Sequence, residues 1–194
     1  MSEFREWLRQ GELNESPKQI GDLGYAKVAN DIKKLMAKYE YDPQYLEKIG
    51  DNLFEYSAAD GYQLSNIRFV FYIENNIILG ATVLKRITIN TGKNIAEAYE
   101  ALYTSNFTST NVKGLLYKLY STFSKKYNTY IVSGMQQTVD SRKVWSRWLR
   151  EKQNIKEIFG YHYKERKYIE FKQISNYWDI SDKMQERRIV VKFK

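Results

Sequence analysis

Tyr161-His162-Tyr163 carries the chain's single histidine between two phenols. An imidazole can take a proton from an amine near neutral pH, and a phenol can donate one. These three residues are the candidate catalytic set. On a strand, alternation sends His162 to the face opposite both tyrosines. A second set, Asn111, Lys113 and Gly114, opens an amphipathic run. Backbone N–H groups at a helix start receive phosphate oxygens, and Lys113 adds a positive charge. Read without a ligand, Asn111 is an N-cap and Gly114 a first-turn residue. Ser133 and Gln136 follow the apolar strand TYIVSG (129–134), where a parallel sheet opens a cleft at its strand ends. A third set, Arg142, Lys143, Arg147 and Arg150, falls on one side of a helix over 139–150. Such a face either meets nucleic acid or is simply solvated.

Several chemistries are excluded by counting. The 194 residues include no cysteine, which removes thiolate nucleophiles, disulfides and cysteine metal sites and suits a reducing compartment. One histidine rules out a histidine metal cluster, so no metal is expected. Hydrophobic residues make up 43%, enough to build a core without staples. No apolar run approaches the roughly 20 residues of a membrane span, and the first ten residues lack a signal-peptide core. A cytoplasmic protein is expected. The net charge of +8 is unevenly spread: residues 1–109 balance at −3 and residues 110–194 at +11. A positive half points to a polyanion or a phosphorylated ligand, or to a lysine-rich solvated surface.

The elements that must position these residues follow from the patterning. Ser16-Pro17 starts a helix whose apolar face includes Val28, Ile32, Leu35, Met36 and Tyr39. Asp42-Pro43 restarts a second helix with Tyr45, Leu46, Ile49 and Leu53 inward. A helical N-terminal extension over 1–56 is the expectation, with its apolar stripe as a docking face for a protein partner. IRFVFYI (67–73) and IILGATVLKRI (77–87) are β-branched and aromatic runs around Glu74-Asn75-Asn76, a hairpin with Gly80 at a bulge. IAEAYEALY (95–103) reads equally as helix or strand. Val112, Leu115, Leu116, Leu119, Tyr120, Phe123 and Tyr127 make a helical stripe. Val144, Trp145, Trp148 and Leu149 face inward on the next helix. IKEIFGYHY (155–163) and KYIEFK (167–172) close as strands around Lys164-Glu165-Arg166. The fold class is mixed α/β, or α+β.

This order, with TNVKGLLYKLYSTFSKKY (110–127) and TYIVSGMQQTVDSRKVWSRWL (129–149), resembles the Gcn5-related N-acetyltransferase (GNAT) family, and within it the divergent GNAT-like proteins of bacteriophages. The likeness spans residues 57–172, leaving the tail after Asn176 outside, and the domain is drawn at 57–194. It implies a mixed sheet flanked by helices and an acetyl-CoA site. The family's Q/R-x-x-G-x-G/A loop appears here as Asn111-x-x-Gly114-x-Leu116, with one glycine kept. Asn111, Lys113 and Gly114 would hold the pyrophosphate, Ser133 would flank the pantetheine arm, and strand 77–87 would polarise the thioester carbonyl. The family often protonates the departing thiolate with a tyrosine; its place here is taken by Trp145, which has no ionisable hydroxyl. The resemblance therefore implies an acetyl-CoA-dependent N-acyltransferase. The alternative is an inactive relative serving as a virion component, a nucleic-acid-binding protein or an inhibitor of host machinery. If phage-borne, it would act in the host cytoplasm or the virion.

Overall fold

The computed structural model describes residues 46–56, 66–75, 77–106, 114–134, 139–151, 154–170 and 186–194. Nine strands form one mixed sheet: β1 (Leu46–Gly50), β2 (Leu53–Tyr56), β3 (Ile67–Glu74), β4 (Ile77–Asn90), β5 (Ile95–Asn106), β6 (Tyr130–Val132), β7 (Ile155–His162), β8 (Lys167–Ile169) and β9 (Arg187–Phe193). Their order across the sheet is β1-β2-β3-β4-β5-β6-β9-β7-β8. Two helices complete the described residues, α1 (Leu115–Tyr127) between β5 and β6, and α2 (Val139–Glu151) between β6 and β7. The mixed α/β architecture expected from the residue patterns is the one observed.

The expected hairpin is β3 with β4, antiparallel from Ile67↔Lys85 to Glu74↔Ile77. Asn75 turns the chain with a φ of 50°, a left-handed conformation that asparagine tolerates better than most residues. Tyr72 opposes Gly80 and Ile73 opposes Ile78, so the extra residue of the bulge is Leu79, beside Gly80. Strand 129–134 pairs parallel with β5 and antiparallel with β9.

Both helices pack on one face. Leu115, Leu119, Tyr120 and Phe123 are buried on α1, and Trp145 and Trp148 on α2. The two tryptophan rings meet edge to face at 4.9 Å, and Tyr120 lies 5.9 Å from Trp145. Trp145, 1% exposed, is thus core. The C-terminus of α1 is closed by Asn128, whose backbone N–H donates to the Lys125 carbonyl at 3.3 Å, and Lys125 and Lys126 complement the helix dipole there. The opposite sheet face buries Phe69, Phe71 and Val83 at one end, and Ile89, Tyr130, Phe159 and Val190 at the other.

The structure corrects one expectation, decides one open reading and places the tail. Residues 46–56 are not the end of a helical extension: they are β1 and β2, paired antiparallel and joined to β3. The 1–56 boundary therefore fails at its C-terminal end. Leu46, Ile49 and Leu53 suit a helix by spacing, but Asn52 takes a φ of 56° and turns the chain instead. The helix reading from Ser16, and the partner surface assigned to it, lie outside the described residues. Second, IAEAYEALY resolves as strand, because it is held between β4 and β6. Third, the end of the tail, which the family likeness leaves outside, is part of the sheet. β9 lies between β6 and β7 and supplies Ile189, Val190 and Val191 to the interior. A continuous β-branched run covered on both faces is what a central strand requires.

Candidate functional site

The chain crosses from β5 over α1 to β6 and returns in the same direction, so the end of β5, the start of α1 and the end of β6 share one end of the sheet. Parallel pairing covers only Ala98↔Tyr130, Tyr99↔Ile131 and Glu100↔Val132. Beyond it β5 continues to Asn106 along β4, while Ser133 turns its backbone to Ile189 of β9. The β5–β6 ladder thus ends at Glu100 and Val132, and this end of the sheet is the candidate site, a notch between two strands that take different partners. Ligands of open α/β sheets bind at such strand ends.

Four features of different chemistry belong to the elements that meet at this end of the sheet. In β5 Tyr103 opposes Val83 and Ala101 opposes Leu84, which leaves Leu102 as the extra residue of a bulge. A bulged residue is left out of the ladder and bends its strand locally. At the top of α1, Gly114 caps the helix with a φ of 72° and no side-chain hydrogen bond, and nothing stands within 4 Å of where its Cβ would be. The first N–H groups of α1 have no intrahelical acceptor and carry the positive end of the dipole.

On the helix side, Thr82 of β4, Thr104 of β5 and Tyr120 of α1 bring three hydroxyls together. Thr82 Oγ1 lies 2.8 Å from Thr104 Oγ1, which lies 2.7 Å from Tyr120 Oη. Burial pushes the Tyr120 phenol above its ordinary value, and hydrogen bonds from Thr104 and Thr82 act the other way. On the opposite face, Glu100 of β5 and Arg188 of β9 are both buried, with Nε and Oε1 3.8 Å apart. The Tyr163 hydroxyl bonds to Glu100, and its ring sits 5.3 Å from the Arg188 guanidinium. Burial, then Glu100, raises the Tyr163 phenol, while burial lowers Arg188 against the pull of Glu100.

The sequence-derived candidates distribute unevenly around this notch. Gly114 lies at it; Asn111, Lys113 and Gln136 lie outside the described residues. Ser133 is 1% exposed and spent on structure: its N–H donates to the Ile189 carbonyl at 2.8 Å, and its Oγ accepts from the Ile189 N–H at 2.9 Å. Tyr161 is 2% exposed beneath the sheet, with its hydroxyl bonded to the Asn90 backbone. His162 turns away from the notch to Glu186, 3.4 Å from Nε2, while its Nδ1 accepts the Glu165 N–H at 3.3 Å. Of the three, only Tyr163 joins the buried polar cluster. Lys143, Arg147 and Arg150 are exposed on α2, and Arg142 belongs to the same helix. Arg188, one of the cations of the positive half 110–194, is internal. Glu100, Thr104 and Arg188 carried no sequence signal, and Tyr120 was legible only as part of the helical stripe. Glu100 and Arg188 stand 88 positions apart, so only the sheet brings them together.

No protein-family model and no curated protein sequence matches this chain. Among solved structures it is similar to Arabidopsis thaliana Naa50 in complex with a bisubstrate analogue, CoA-Ac-MVNAL, at 14% identity over 66% of this chain and 72% of that one, with a TM-score of 0.33. It is also similar to a putative acetyltransferase of the GNAT family from Bacteroides thetaiotaomicron, at 8% identity over 88% of this chain and 84% of that one, with a TM-score of 0.41.

Proposed function

We propose that the chain is an acyl-CoA-dependent N-acyltransferase whose thioester lies in the notch between β5 and β6. The observation that carries this reading is the end of the parallel β5–β6 ladder at Glu100 and Val132, at the end of the sheet where α1 opens on Gly114. That arrangement accepts a long, narrow substrate with an anionic end. The pantetheine arm enters the notch, and the pyrophosphate meets the first N–H groups of α1. Asn111 and Lys113 precede those groups in sequence and add an amide and a charge. The backbone N–H at the Leu102 bulge, rather than strand 77–87 itself, polarises the carbonyl. Glu100, held by Tyr163 and Arg188, takes the proton of the attacking amine on the sheet face away from the helices.

The test is calorimetry with acetyl-CoA, followed by release of CoA thiol in the presence of a panel of primary amines. We expect binding in the micromolar range, and turnover with at least one amine that Glu100→Gln reduces by about 10²-fold or more, the usual share of a general base. No binding at millimolar acetyl-CoA overturns the reading. The basic surface is a separate property. Lys143, Arg147 and Arg150 project opposite Trp145 and Trp148, and we propose that they meet a polyanion such as duplex DNA.

A further inference from the structure

A sheet face that carries phenylalanine needs a second layer over it, because neighbouring strands shield only the flanks of each side chain. α1 and α2 both pack on the face of Val70, Tyr72 and Leu84. The reverse face of β3 and β4 is nevertheless closed: Phe71 and Val83 are 0% exposed, and Phe69 and Ile73 5%. Among the described residues no helix lies on that side. We infer that segment 1–45 covers this face, docking the apolar stripe Val28, Ile32, Leu35, Met36 and Tyr39 onto β3 and β4 of its own chain. The stripe is then a second layer of the domain rather than a surface for a protein partner.

Position and length favour this occupant. β1 is an edge strand, and its first residue, Leu46, packs partly buried against the same cluster. Pairing aligns Leu46, Tyr56, Phe69 and Val83 in one row from β1 to β4. The chain that precedes Leu46 therefore reaches β1 at the border of the face to be covered. From Val28 to Tyr39 a helix rises about 16 Å. The row spans three strand spacings, about 14 Å, and Phe69 to Ile73 runs about 13 Å along β3. The stripe matches the patch whichever way it crosses. Lys33 and Lys34 fall opposite the stripe at helical spacing, the side that a covering layer turns to water.

The other segments outside the described residues are worse placed. Residues 57–65 join β2 to the neighbouring β3 and carry only Tyr62 and Leu64 as large apolar side chains. Residues 107–113 lead from β5 to α1, on the other face. Residues 171–185 leave β8 and return to β9, which lie six and four strands away from β3. Out and back along the sheet that is about 48 Å. An extended chain of that length reaches about 50 Å, so nothing would be left to form a layer.

The experiment uses the full chain with the photoreactive residue p-benzoylphenylalanine at Met36 or, separately, at Lys34. Each protein is irradiated as a mixture of ordinary and 15N-labelled molecules, so mass spectra of the peptides tell a cross-link within one chain from a link between copies. We expect the probe at Met36 to join β3 or β4 of its own chain, and the probe at Lys34 to join neither. Links between copies would make a second molecule the cover and overturn the inference. Absence of any link from Met36 to β3 or β4 overturns it too. A second measurement exploits the cysteine-free sequence: Ile73→Cys places a single thiol on the covered face. Adding Leu35→Asp should raise its rate of reaction with a disulfide reagent by about tenfold or more, as local opening does, and adding Lys34→Asp should leave the rate unchanged. Equal rates in all three proteins overturn the inference. Where Leu35→Asp unfolds the chain, the cross-link decides.

Discussion

Ser133 and Ile189 exchange two hydrogen bonds, one from each backbone N–H, at 2.8 and 2.9 Å. The second uses the serine hydroxyl as acceptor, at the point where β6 has run out of ladder partners on its other side. A residue whose type and position suggested ligand binding is instead the rivet that fastens β6 to β9 as β5 turns away. Removal of Oγ from Ser133→Ala leaves the Ile189 N–H buried without that acceptor. We expect a loss of about 1–3 kcal/mol in urea unfolding, the usual cost of an orphaned buried donor. Acetyl-CoA affinity measured on the folded protein should be unchanged.

Gly50 lies in β1 where α1 crosses it. A Cβ at Gly50 would stand 2.5 Å from Thr122 Cγ2, closer than two carbons can approach. Gly50→Ala should therefore cost about 1–3 kcal/mol through overpacking. Thr122→Ser removes the methyl that it meets and should recover much of that loss. A double-mutant cycle by denaturant titration reads the coupling. Additive losses would show that β1 and α1 do not meet as described.

Gly114 differs in kind. Its φ of 72° is the constraint, since open space surrounds the missing Cβ. Asparagine tolerates this conformation better than alanine, and a β-branched residue tolerates it least. Thermal melting should rank the variants Gly, Asn, Ala, Val, with roughly 1 kcal/mol between the first and Ala. An alanine variant as stable as wild type would contradict the left-handed cap.

Glu55 of β2 is 3% exposed, accepts a hydrogen bond from Tyr127, and lies 3.3 Å from Arg68 Nε. Burial pushes its carboxyl above the ordinary carboxylate range, against the pull of Tyr127 and Arg68. The folded state therefore binds this proton more readily than the unfolded chain. Its contribution is fully present below the unfolded value and is lost as pH rises through the raised folded value. Relative to Glu55→Gln, wild type should lose stability as pH rises from about 4 through that window, read by urea midpoints at each pH. Parallel pH profiles for the two proteins would show that the burial cost of the charge is fully offset.

Charge reversal at Lys143, Arg147 and Arg150 tests the basic surface. If these groups neutralise phosphates, binding of duplex DNA should weaken. The slope of log affinity against log salt should shrink by about 0.9 for each phosphate no longer neutralised. Binding that is absent at low salt, or indifferent to the reversal, leaves the charges as a solvated face.

Wherever one periodicity ran unbroken between turn residues, the residues alone disclosed the element. Ile67–Glu74 and Ile77–Asn90 around Asn75, and the stripe from Leu115 to Phe123, are local patterns with local causes. So are the tryptophan face of α2 and the turn at Lys164-Glu165-Arg166. What the patterns misread or left open has a common origin in partners distant along the chain. Leu46, Ile49 and Leu53 fit a helical stripe, and only pairing with β3 makes their neighbourhood extended. Ile95–Asn106 has mixed propensity, and its neighbours β4 and β6 decide it. Arg187–Phe193 becomes central because β6 and β7 each leave an edge that it fills. The site depends on tertiary structure still more. Gly114 could be singled out because a helix start is a local event. Glu100 with Arg188, and Thr82 with Thr104 and Tyr120, meet only where strands of different hairpins lie side by side. No spacing within the sequence encodes that meeting, because sheet order places residues by hydrogen-bonded neighbours rather than by distance along the chain.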